Sequence, residues 1–108
     1  MTLDDGRLRI ADMANEFRSE EQLRRGLEKA KKKVVVGGKY AHYKHPDRYY
    51  VVEFVGFLEN SEEVCVGYRS LYGKGILWVR TLADFTAEVD LPAQAGVDGK
   101  RVKRFSLA

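Results

Sequence analysis

The stretch from Glu63 to Phe85, EVCVGYRSLYGKGILWVRTLADF, constrains the fold more than any other. Val64, Val66 and Tyr68 alternate with Glu63, Cys65 and Gly67, the period-2 pattern of a half-buried strand. Tyr72-Gly73-Lys74-Gly75 interrupts that run with two glycines, which take positive φ without steric cost. Ile76 to Arg80 then reads as a second strand. Leu82-Ala83-Asp84-Phe85 is too short for a full helix and suits one 3₁₀ turn. These signals predict a β-hairpin in a small barrel.

The N-terminal third has a different period. Leu8, Ile10, Met13, Ala14 and Phe17 predict a first helix, with Asp4 or Asp5 as its cap. Ser19-Glu20-Glu21-Gln22 carries a capping-box signature, in which Ser19 accepts from a backbone amide three residues on and Gln22 reaches back. Glu20 and Glu21 lie near the positive end of the helix dipole, and Lys31, Lys32 and Lys33 near its negative end. Leu23, Leu27 and Ala30 form a narrow apolar stripe. Such a stripe serves either to dock the helix on the barrel or as a seam for a second copy or a protein partner.

Val34-Val35-Val36-Gly37-Gly38 marks the boundary. Residues 1–33 are expected as a helical extension and 34–108 as the β domain with a C-terminal hairpin. Tyr40, His42 and Tyr43 predict a first strand, His45 to Arg48 a turn, and Tyr49 to Phe57 a long strand. In that strand Tyr50, Val52 and Phe54 would share one face. Thr86 to Val89 reads as the last barrel strand. Val97-Asp98-Gly99-Lys100 suits a type I′ hairpin turn, with Val102 and Phe105 packing beneath it. The fold class expected is α+β, mainly β: a five-stranded SH3-like barrel preceded by a helical segment.

The residues GGKYAHYK, a tyrosine-and-valine strand, YRSLYG, LWVR and VDGKRVKRF follow one another in this order. Together they resemble the bacterial domain-of-unknown-function family numbered 1653, over about Gly38 to Phe105. Thr81 and Lys103 stand where that family tends to have proline. The resemblance implies the barrel and assigns no catalytic residue.

With 108 residues the chain has the length of one domain. No apolar run approaches the ~20 residues of a membrane span, and no signal-peptide core stands at the N-terminus. With a single cysteine, Cys65, no internal disulfide forms. A cytoplasmic protein with no membrane role is the expectation. His42, His45 and Cys65 have neither CxxC nor HxxxH spacing, so neither a metal nor a cofactor is expected. No phosphate-loop motif occurs. A Cys65–His42 nucleophile–base pair and a Glu53–His42 acid–base couple are weak candidates, since Cys65 lies inside a strand between valines. An enzyme is the less favoured reading.

Binding is easier to argue. If Val66 and Tyr68 face the core, Gly67 and Arg69 point the other way, and Gly67 leaves space; if Leu77 and Val79 face the core, Ile76, Trp78 and Arg80 face outward. Trp78, Arg69, Arg80 and Tyr72 are expected to share one ligand surface, with His42 or Tyr43 at its edge. A base stacks on such an indole while guanidinium groups hold a phosphate or carboxylate. The alternative is that Trp78 packs beneath the helices and the arginines pair with Glu53 or Asp84. Two basic clusters, Lys31-Lys32-Lys33 and Lys100, Arg101, Lys103 and Arg104, are candidate phosphate contacts. Nucleic acid or a nucleotide-like ligand is thus one partner class. A protein partner or a second copy, met through the N-terminal helices, is the other.

Overall fold

The computed structural model describes residues 18–91 and 99–108. The helix expected over Leu8–Phe17 and the Val97-Asp98 half of the expected C-terminal turn lie outside them. The elements are α1 (Glu20–Lys33), β1 (Lys39–His42), β2 (His45–Leu58), β3 (Glu63–Ser70), β4 (Leu77–Thr81), α2 (Leu82–Phe85), β5 (Glu88–Leu91), β6 (Lys100–Lys103) and β7 (Phe105–Leu107). Five strands form an antiparallel sheet in the order β4-β3-β2-β1-β7, and β5 pairs with β6 alone. The protein is therefore mainly β, with antiparallel sheets and a helix ahead of them. The five-stranded ladder does not close on itself; β4 and β7 are its edges.

Ser19 caps α1 as expected. Its hydroxyl accepts from the Gln22 amide, and the Gln22 carboxamide accepts from the Ser19 amide at 2.8 Å. α1 rests on β2 and β3, with Ala30 buried and Leu23 and Leu27 half-buried. α2 is one turn of α-helix rather than 3₁₀, because Thr86 donates back to the Leu82 carbonyl at 2.9 Å. Thr81 caps it, accepting from the Asp84 amide at 3.1 Å. This turn delivers Phe85 to the core.

Three expectations need correction. The last strand of the main sheet is β7, not Thr86–Val89. α2 turns the chain off the sheet, β5 and β6 form a separate ribbon, and Phe105 then returns opposite His42. The first turn is Tyr43-Lys44, because His42 and His45 are direct cross-strand partners; Pro46-Asp47-Arg48 bulges out of the ladder before Tyr49 pairs with Ala41. The third correction is at Glu53. Val52 pairs with Tyr68 but Phe54 pairs with Gly67, so Glu53 is an extra residue. Such a bulge shifts the alternation by one, and Phe54 leaves the face of Tyr50 and Val52. Its ring covers Gly67 so closely that a Cβ there would lie 2.1 Å from the ring. The space expected at Gly67 is filled.

The core lies on the inner face of the sheet: Val34, Tyr40, Tyr50, Val52, Val66, Tyr68, Phe85 and Phe105. The Phe85 and Phe105 rings stack with centroids 4.3 Å apart, and Tyr40 and Tyr68 meet Phe85 edge-on. Full burial of one such side chain contributes roughly 1.5–3 kcal/mol. Phe105 also touches Tyr50 and His42, so the core runs without a break into the site described next.

Candidate ligand-binding cleft

Trp78 pairs with Tyr68 and Arg80 with Val66. Side chains of directly paired residues share a face, so Trp78 and Arg80 extend the inner, aromatic face beyond the buried core. The Trp78 ring is 47% exposed and is fixed at its edge by an indole N–H donated to Ser70 Oγ at 3.1 Å. Arg80 Nε donates to the Tyr68 hydroxyl at 3.0 Å, and its guanidinium lies 5.7 Å from the Phe105 ring centroid. These contacts hold both side chains at the border of the core.

The border is a cleft of about 290 Å³. Its polar lining is His42, Lys44, His45 and Arg80; its aromatic lining is Tyr50, Tyr68, Trp78 and Phe105. No carboxylate is among them. Arg18, Arg24, Arg25, Arg69, Arg101 and Arg104 all pair with acids. Among the described residues two arginines have no acidic partner, Arg48, which is exposed, and Arg80, which is half-buried. The crowding of positive charge shows in His42, whose pKa is lowered first by burial and then by Arg80, Lys44, Arg104 and His45. At one end the Tyr50 and Tyr72 hydroxyls are 2.7 Å apart, and the Arg48 guanidinium lies 5.2 Å from the Tyr72 centroid. Burial, then the bond to Tyr72, pushes the Tyr50 phenol up to about 12. The same bond lowers Tyr72.

Of the residues expected in the site, the structure brings Trp78, Arg80 and His42 together. Tyr72 joins through Tyr50, and Tyr43 packs against His42 with ring centroids 4.8 Å apart. Arg69 is not there. It pairs with Leu77, one residue out of phase with Tyr68, and so stands on the outer face. Glu53 holds it at 2.8 and 3.1 Å and the Gly75 carbonyl at 2.8 Å. Sequence reasoning missed Lys44, His45, Tyr50, Tyr68 and Phe105. The two-residue turn Tyr43-Lys44 makes His42 and His45 cross-strand partners on one face.

The other candidates disperse. Lys33 and Lys103, one from each basic cluster, line a second cavity of about 390 Å³ with Val34, Val35, Tyr40 and Leu107 among its walls. Lys31, Lys32 and Lys100 are exposed. Arg101 lies between Glu88 and Asp90, and Arg104 donates to the Asp84 carbonyl at 2.9 Å. Cys65 is buried on the outer face, opposite Gly56 and Thr81, and Glu53 is held by Arg69 there, so neither couples to His42. Among the described residues no cluster of three or more His, Cys, Asp or Glu could hold a metal, and no helix is long and apolar enough to cross a membrane.

Fold and site together define a small, mainly β protein with a cationic, aromatic cleft on the inner face of its sheet. The chain belongs to the family described as Protein of unknown function (DUF1653), which matches residues 38–107. That match takes in every strand and leaves α1 outside. Searches of curated proteins and of solved structures find no match.

Proposed function

We propose that this protein is a small binding module for a planar anion, a nucleotide or a short segment of single-stranded nucleic acid. The observation that carries the reading is Arg80, a half-buried guanidinium with no carboxylate partner among the described residues, beside an exposed indole. The base stacks on Trp78. Arg80 binds phosphate by charge-assisted hydrogen bonds, with Lys44, His42 and His45 around it. The five-stranded order, in which the final strand returns to the first, supports an open SH3-like barrel as the platform. No chemistry is assigned to the cleft, and a cytoplasmic location goes with this reading. The Lys33–Lys103 pair lies apart from the cleft and is the place for any additional phosphate contact.

Trp78 is the single tryptophan, so its emission reports the site directly. Titration with mononucleotides and short single-stranded oligonucleotides should change that emission, and binding should weaken as salt rises. Unchanged emission and no binding at low salt would exclude the reading. The alternative is a protein-interaction module using α1. It is favoured by a groove of about 510 Å³ between α1 and β2, bordered by Leu23, Leu27 and Phe57. Association that is insensitive to salt and abolished by Leu27→Glu would select it.

A further inference from the structure

β4 is an edge strand of the described sheet with neither proline, lysine nor a bulge. The Ser70 amide donates to the Ile76 carbonyl at 3.0 Å. In an antiparallel ladder, hydrogen-bonded and non-bonded pairs alternate. Tyr68–Trp78 and Val66–Arg80 are therefore the bonded pairs, and Leu77, Val79 and Thr81 aim their amides away from β3, with the carbonyls of Leu77 and Val79; the Thr81 carbonyl already serves α2 as its N-cap. No strand among the described residues receives them. Edges are commonly blunted by proline, lysine, a bulge or extreme shortness. β4 reads Leu-Trp-Val-Arg-Thr, and Leu77 and Val79 are 41% and 57% exposed.

We propose that β4 pairs with β4 of a second copy, antiparallel, about a two-fold axis at Val79. The register follows from the hydrogen-bonding phase. An axis at Trp78 or Arg80 is excluded, because their amides already face β3. With the axis at Val79, each Val79 bonds its counterpart and Leu77 bonds Thr81 of the partner subunit. Trp78 then lies directly opposite Arg80 of the partner subunit, twice by symmetry. Those are non-bonded pairs, whose side chains approach most closely, and a guanidinium over an indole is attractive. The sequence of β4 is thus self-complementary in the one register that uses all its free amides, and like charges do not meet. An axis at Leu77 would instead set Trp78 against Ile76 and leave Arg80 outside the ladder. The two sheets become one of ten strands, and the clefts adjoin at the seam. A five-residue edge is small for an interface, so the dimer should dissociate on dilution. The pairing draws on Trp78 and Arg80, which also line the cleft, but it is read from association of the chain without ligand, so its failure is distinguishable from failure of the cleft to bind.

Sedimentation equilibrium of the full chain tests it. A concentration-dependent monomer–dimer equilibrium is expected. Val79→Pro should make the protein monomeric, because proline removes only an outward amide, which an edge strand tolerates. Val79→Cys should form a disulfide-linked dimer on mild oxidation, since bonded partners lie about 5.5 Å apart at Cα, within disulfide reach. Leu107→Cys, equally exposed at the other edge, should form none above background. Circular dichroism checks that each variant folds; if Val79→Pro does not, the cysteine pair decides. A wild-type monomer at all concentrations, a dimer indifferent to Val79→Pro in its folded form, or equal crosslinking at the two edges would each overturn the pairing.

Discussion

Arg69 and Arg80 sit on neighbouring strands and have opposite fates. On the outer face Arg69 is fully engaged by Glu53 and the Gly75 carbonyl, and the neighbouring gap at Gly67 is closed by Phe54. On the inner face Arg80 gives one donor to Tyr68 and meets no acid among the described residues. The outer face is a finished structure. The inner one leaves Arg80 without a carboxylate among the described residues and Trp78 exposed beside it. The difference between the two faces is the reason for placing function on one of them.

The comparison can be broken first at Gly67. Gly67→Ala drives a methyl into the Phe54 ring, so stability measured by denaturant should fall by about 1–3 kcal/mol, the usual cost of overpacking. Ligand affinity of the folded fraction should stay unchanged. On the inner face the pattern reverses. Trp78→Ala should weaken nucleotide binding roughly ten- to hundredfold, as loss of one stacked base implies, while the unfolding midpoint moves little because the ring is half exposed.

A pH series sharpens the contrast. Burial, then the surrounding cations, hold the His42 pKa below its ordinary value of 6.5 in the folded protein. Between those values the unfolded chain binds more protons, so stability should fall as pH falls through this range. An anion favours the protonated imidazole, so affinity for phosphate should rise over the same range. Opposite slopes are expected, and His42→Asn should flatten both. If stability and affinity fall together, His42 does not face the ligand. The smallest effect is expected on the outer face. Arg69, chiefly through its hydrogen bond, lowers the Glu53 pKa, so the contribution of the pair is present above about pH 4.5 and lost on acidification. Both groups are solvent-exposed, and Glu53→Gln should shift the thermal midpoint by little more than error.

Much of the fold was legible because its signals are local. The capping box at Ser19, the period-2 run from Val64 to Tyr68, and the glycines at 73 and 75, both at positive φ, each announce themselves within a few residues. What escaped is set by pairing across distance. Nothing near Glu53 marks it as a bulge, and nothing near Phe105 shows that it returns to His42. The site was half legible for the same reason. Leu77 and Val79 look like core residues and Arg80 like surface, yet β4 is an edge whose Trp78 and Arg80 lie over the aromatic core. Amphipathic side chains lay their apolar parts on such a border and keep their polar tips free. Arg69 was placed beside Trp78 because the turn brings the strands together, but adjacency in a hairpin does not make two residues share a face.

The most direct test measures binding of a nucleoside monophosphate and of its parent nucleoside, by Trp78 fluorescence at low salt, to wild type, Arg80→Ala and Arg69→Ala. A charge-assisted hydrogen bond contributes ~1.5–3 kcal/mol. Arg80→Ala should therefore weaken monophosphate binding at least tenfold and bring it close to the nucleoside, while Arg69→Ala stays within about twofold of wild type. Equal losses in the two variants, or a wild type that treats monophosphate and nucleoside alike, would contradict the assignment of the inner face as an anion site.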